Sequence, residues 1–117
     1  MASKHRRLVG LDFRELVPKE YPGPERRGAK RHAMAVSVPA VAIDDDYRPI
    51  TEPVRILTRD ISETGLGLVF THRITAGLLA IELPAATGPI QVVIEVMRCQ
   101  RVGPFYDVGG RFVARLE

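Results

Sequence analysis

The sequence predicts an all-β domain, a six-stranded antiparallel barrel preceded by a basic arm. Three observations predict it. Short runs rich in Val, Ile and Thr recur from Ala33 to the end of the chain, separated by Gly, Pro and Asp clusters. No helical segment long enough for a parallel crossover lies between them. Residues 1–32 lack such runs and are broken by Pro18, Pro22, Gly23 and Pro24.

The first run, Ala33–Ile43, places Met34, Val36, Val38 and Ala40 on one face, with Pro39 marking an edge or a bulge. Asp44–Asp46 with Pro49 reads as a polar turn. Val54–Ile61 alternates Val54, Ile56 and Thr58 against Arg55, Leu57 and Arg59. Leu66–Thr71 follows Gly65, and Leu78–Leu83 follows Gly77. Ile90–Val102 is long and alternates Ile90, Val92, Ile94 and Val96. Gly103-Pro104 is a two-residue turn into the last run, Phe105–Leu116. Evenly spaced strands of this kind suit a closed antiparallel barrel.

A chain of 117 residues makes one ordinary domain. We divide it into an arm over 1–24 and a domain over 25–117, whose own arm is 25–32 and whose barrel is 33–117. No stretch approaches the about 20 apolar residues of a membrane helix, and Met1–Gly10 lacks a signal-peptide core. The single cysteine, Cys99, has no internal disulfide partner. A cytoplasmic protein is expected.

Charge is unevenly placed. Residues 1–32 hold nine Lys/Arg against four Asp/Glu, a net of +5, and the remainder holds eight against ten, a net of −2. The basic character therefore belongs to the arm. Arginine outnumbers lysine fourteen to three, which fits either a codon bias or recognition of planar anionic groups by the guanidinium fork.

No catalytic constellation is present. His5, His32 and His72 have no metal-ligand spacing with Cys99. Asp44–Asp46 is not followed by the glycine and glutamate of a calcium loop. Asp60 and Ser62 lack a nucleophile elbow. We expect no enzyme activity, no metal and no cofactor.

Two motifs carry binding chemistry instead. Arg27-Gly28-Ala29-Lys30-Arg31 places two arginines four apart at the end of the arm, directly after Arg26. Asp60-Ile61-Ser62-Glu63-Thr64-Gly65 closes the second run and turns into the third. An arginine can present a bidentate fork to guanine O6 and N7, and a second can neutralise a phosphate. A carboxylate accepts from guanine N1 and N2, a serine hydroxyl bonds a phosphate or a base edge, and a turn glycine admits close backbone approach. Each motif alone also has a plain reading, as a solvated basic stretch and as a turn bonded to its own backbone.

Together the motifs resemble the PilZ domain. An Arg-x-x-x-Arg arm is followed some thirty residues later by Asp-x-Ser-x-x-Gly. Thr75-Ala76-Gly77 before Leu78–Leu83, and the ending Tyr106-Asp107-Val108-Gly109-Gly110-Arg111-Phe112, resemble that family's later strands. The likeness covers about residues 25–114. It implies a split barrel that binds cyclic di-GMP on its surface, with the arm folding over the ligand. By position, Arg27, Arg31, Asp60, Ser62 and Gly65 match the family's binding motifs, and Gly109 falls beneath a guanine. The resemblance also ties the residue before the first arginine to stoichiometry: a basic one, as Arg26 is, goes with two intercalated ligand molecules per chain. Many members continue into a C-terminal helix, which is expected to be short or missing in a chain ending at Glu117.

The function expected is that of an adaptor whose ligand-ordered arm changes a surface for a protein partner. A competing expectation is a small basic barrel that binds nucleic acid. An aromatic content of 6% without tryptophan leaves it no stacking platform. A barrel of the same family that has lost its ligand and serves only protein interaction is the third; the intact motifs argue against it.

Overall fold

The computed structural model describes residues 30–116. Seven strands follow one another: β1 His32–Ala33, β2 Ser37–Ile43, β3 Val54–Ile61, β4 Gly65–Phe70, β5 Leu78–Leu83, β6 Ile90–Val102 and β7 Phe105–Leu116. The sheet runs β1-β3-β2-β5-β6-β7-β4, and β4 pairs back onto β3. That pairing closes β2 to β7 into a six-stranded barrel with every ladder antiparallel, and leaves β1 as a short extra strand on β3. Closure removes the open edges that a flat sheet would present. Among the described residues no helix is long and apolar enough to cross a membrane.

Alternation builds the core. Val38, Ile56, Leu66, Leu68, Ile81, Leu83, Val92, Ile94 and Val108 point inward and are fully buried or nearly so. Val93 is buried as well, although its neighbours on both sides face the barrel interior. A second, outer cluster of Ile43, Val93 and Ala114 explains it, with Tyr47, Leu78 and Leu116 packed around them. Tyr47 reaches that cluster from the Asp44–Arg48 turn, where its backbone adopts φ 65°. The Asp44 carboxylate accepts from the backbone N–H groups of Asp46 (2.8 Å) and Arg48 (3.0 Å), so the acidic run forms a local turn.

The first predicted run divides in two, and Pro39 is not the cause. Pro39 pairs with Arg55 in the β2–β3 ladder. The break falls at residues 34–36, and the buried Thr58 fastens it. Its hydroxyl accepts from the Val36 N–H at 2.9 Å and lies within bonding reach of the Met34 and Val36 carbonyls. Backbone bonds from Met34 to Arg59 (3.1 Å) and from Thr58 to Val36 (2.9 Å) carry the pairing through the gap. The chain thus runs alongside the whole of β3, which brings residues 31–33 to its far end.

Candidate functional site

The far end of β3 carries the second sequence motif. Strict alternation would send Asp60 into the barrel, because Thr58 is buried. A register shift between Thr58 and Asp60 in the β3–β4 ladder prevents that. Thr58 and Ile61 remain buried, while Arg59 and Asp60 both lie on the outer wall. Asp60 pairs with Ala33 of β1 on one side and Gly67 of β4 on the other.

Asp60 there joins two arginines. Arg31, one residue before β1, places Nη2 2.9 Å from Oδ1, and Arg59 places Nη1 2.7 Å from Oδ2. The line of charges continues across the wall. Arg59 Nη2 lies 3.0 Å from Oδ1 of Asp107 on β7, and Arg98 Nη2 of β6 lies 3.5 Å from Oδ2 of the same residue. Three guanidinium groups thus alternate with two carboxylates, leaving a net positive charge. The inner members are half-buried, where charges are screened less than on an open surface.

Beneath these side chains lies a bare strip of backbone. Gly67 and Gly109 are direct partners in the β4–β7 ladder. A Cβ on Gly67 would stand 2.5 Å from Arg59 Nη2 and 2.6 Å from Asp60 Oδ1; one on Gly109 would stand 3.2 Å from Arg98 Nη2. The two glycines form a floor that only hydrogen side chains leave clear.

Ser62 lies below the wall. Its side chain is fully buried, and its Oγ accepts from the N–H groups of Thr64 and Gly65, both at 3.2 Å. The Ser62 N–H in turn donates to the Gly65 carbonyl at 2.9 Å. The hydroxyl does the work of a turn carbonyl and fixes the hairpin that holds Asp60 in place. Gly65 faces Arg111 across β7, and a Cβ there would collide with the Gly110 carbonyl oxygen. The arrangement gathers Arg31 and Asp60 at one surface and sets Ser62 and Gly65 behind it. Gly109 lies beside them, on the floor. Arg26 and Arg27, with the rest of the predicted arm up to Ala29, fall outside the described residues.

Sequence reasoning missed Arg59, Arg98, Asp107 and Gly67. Arg98 left a usable signal. The Gly103-Pro104 turn pairs Val102 with Phe105, and counting back along the hairpin sets Arg98 opposite Gly109. Asp107, two residues before Gly109 on the same strand, necessarily shares its face. Arg59 left none, because the shift that lets it stand beside Asp60 has no marker in the sequence.

Of the three histidines, the described His32 and His72 lie apart on β1 and after β4. No group of three His, Cys, Asp or Glu side chains among the described residues could hold a metal ion.

Among solved structures, the chain is similar to the K. pneumonia MrkH–c-di-GMP complex, with a TM-score of 0.53 and 16% identity. The match covers 78% of this chain and 45% of that one, a likeness of fold to part of a longer protein. No curated protein matches the chain. The PilZ domain family matches residues 25–117, nearly the whole of the chain beyond the first part of the arm, and the chain belongs to that family.

Proposed function

We propose that this domain is a receptor for cyclic di-GMP that performs no chemistry on it. One observation carries the reading: Asp60 stands between the guanidinium groups of Arg31 and Arg59 beside the Gly67–Gly109 floor. This is the place where the family's two motifs meet, and MrkH, of similar fold, is known as a c-di-GMP complex. The chemistry matches the ligand on each count. A carboxylate accepts from guanine N1 and N2, arginine forks meet the O6/N7 edge or a phosphate, and the two glycines leave room for those side-chain ends against the wall.

In this reading Arg31 and Asp60 touch the ligand directly. Arg26 and Arg27 reach it from the arm. Ser62 and Gly65 act from behind by holding the turn. Ligand binding shifts the arm from a loose to a docked arrangement, and the changed surface meets a protein partner. As a second-messenger receptor it works in the bacterial cytoplasm.

Calorimetric titration of the full chain tests this, with single-stranded DNA titrated in parallel. Saturable binding of cyclic di-GMP and none of the oligonucleotide is expected. Heat from the oligonucleotide alone would overturn the reading in favour of a nucleic-acid barrel.

A further inference from the structure

Asp60 and Asp107 are served unequally. Both Asp60 oxygens accept well-formed hydrogen bonds at 2.9 and 2.7 Å. Among the described residues Asp107 has only ion-pair contacts, at 3.0 Å from Arg59 and 3.5 Å from Arg98. Its Oδ1 is buried, as is Arg59 Nε, and neither makes a hydrogen bond among the described residues. Buried polar groups are normally paired, so this half of the network is under-satisfied. Two arginines, from β3 and from β6 with β4 and β7 between them, converge on one poorly aligned carboxylate.

From its place on β7 the Asp107 carboxylate aligns well with neither fork. A tetrahedral phosphate standing over the floor offers two outward oxygens to the same two guanidinium groups, with charge-assisted bonds to each. We propose that Arg59 and Arg98 form a second phosphate-binding pair on the barrel wall, for which Asp107 is the internal counter-ion. Asp107 keeps both arginines over Gly67 and Gly109 and turns aside when the phosphate arrives. The pair takes one phosphate of the cyclic dinucleotide, and the arm arginines take the other. This rests on the cyclic di-GMP reading above and extends it to residues that neither motif contains.

Calorimetry with cyclic di-GMP over a series of salt concentrations tests it in the full chain, using Arg98→Ala, Arg98→Gln and Asp107→Asn beside Arg27→Ala. Arg98 has a side chain 47% exposed, so its replacement leaves the melting temperature near wild type. Both Arg98 variants are expected to weaken binding tenfold or more and to flatten its salt dependence, because one ionic contact is lost. Asp107→Asn removes both the competing anion and the group that holds the two arginines in place, and is expected to lose less affinity than either Arg98 variant. Wild-type affinity and salt dependence in both Arg98 variants would overturn the proposal. So would a loss in Asp107→Asn as large as that in Arg98→Ala, which would make the carboxylate a required group. If Arg27→Ala loses affinity while the Arg98 variants do not, only this inference fails. If the wild type does not bind cyclic di-GMP, the underlying reading fails and this inference falls with it.

Discussion

Arg31 and Asp60 lie 29 residues apart in sequence, and their side chains meet at 2.9 Å on the outer wall of the barrel. The contact joins the end of one motif to the start of the other. Arg31 is half exposed and Asp60 is largely covered. An ion pair of that kind adds about 0–1 kcal/mol to folding. Its larger value lies in placing a guanidinium fork beside a carboxylate.

Replacing Arg31 by alanine is therefore expected to separate stability from binding. Thermal melting stays close to wild type. Affinity for cyclic di-GMP falls by roughly tenfold to a hundredfold, since a hydrogen bond to a charged group contributes about 1.5–3 kcal/mol. Arg27→Ala is expected to do the same. Calorimetry on either variant returning wild-type affinity would remove that arginine from the site.

Two glycines two residues apart on β4 are expected to fail in different ways. A methyl group on Gly65 meets the carbonyl oxygen of Gly110, so two paired strands must move apart. Gly65→Ala is expected to cost about 1–3 kcal/mol of stability, the usual range for overpacking. On Gly67 the atoms nearest the methyl are the ends of the Arg59 and Asp60 side chains, which can swing away. Gly67→Ala is expected to melt near wild type and bind ligand weakly. Equal melting temperatures for the two variants would contradict this division.

The sequence made the barrel legible because alternation, turn residues and strand spacing all point the same way. Six runs and their antiparallel pairing follow from them directly. The site was legible only in part. Arg31 and Asp60 are found by motif, but the motif does not say that Asp60 faces outward. That depends on the register shift after Thr58, and the shift depends on how β4 meets β3. The gap at residues 34–36 is equally hidden, because its cause is a threonine hydroxyl more than twenty positions away. Ser62 shows the opposite case. The plain reading of an Asp-x-Ser turn as bonded to its own backbone accounts for the bonds its Oγ accepts from the Thr64 and Gly65 N–H groups.

Stoichiometry gives an independent check on Arg26. The family resemblance ties a basic residue at that position to a stacked pair of ligands. A guanidinium plane can stack on a base and offset phosphate charge, whereas leucine can share only the stacking. Two cyclic di-GMP molecules per wild-type chain are expected, and one for Arg26→Leu. A wild-type value of one would refute the role of Arg26 and leave the other contacts standing.

The arm mechanism makes its own prediction about where ordering begins. His32 and Ala33 already pair with Ile61 and Asp60, and Arg31 is bonded to Asp60 before any ligand is considered. A hinge for arm closure is therefore expected ahead of Arg31. Fixing each further residue costs about 1–2 kcal/mol, so docking is expected to reach little beyond Arg26 and Arg27, whose contacts repay that cost. Hydrogen exchange with and without saturating cyclic di-GMP locates the boundary. Amides of 32–33 are expected to be protected in both states, those of 26–30 only with ligand, and those of 1–14 in neither. Trypsin is expected to cut after Arg26 or Arg27 in the free protein and to be blocked there by ligand. Raising the salt concentration is expected to weaken both the affinity and the protection, because the contacts are ionic and partly exposed. Equal protection of 26–30 in the two states would rule out closure of the arm. The signal to a partner would then have to come from the exposed face of the bound nucleotide itself.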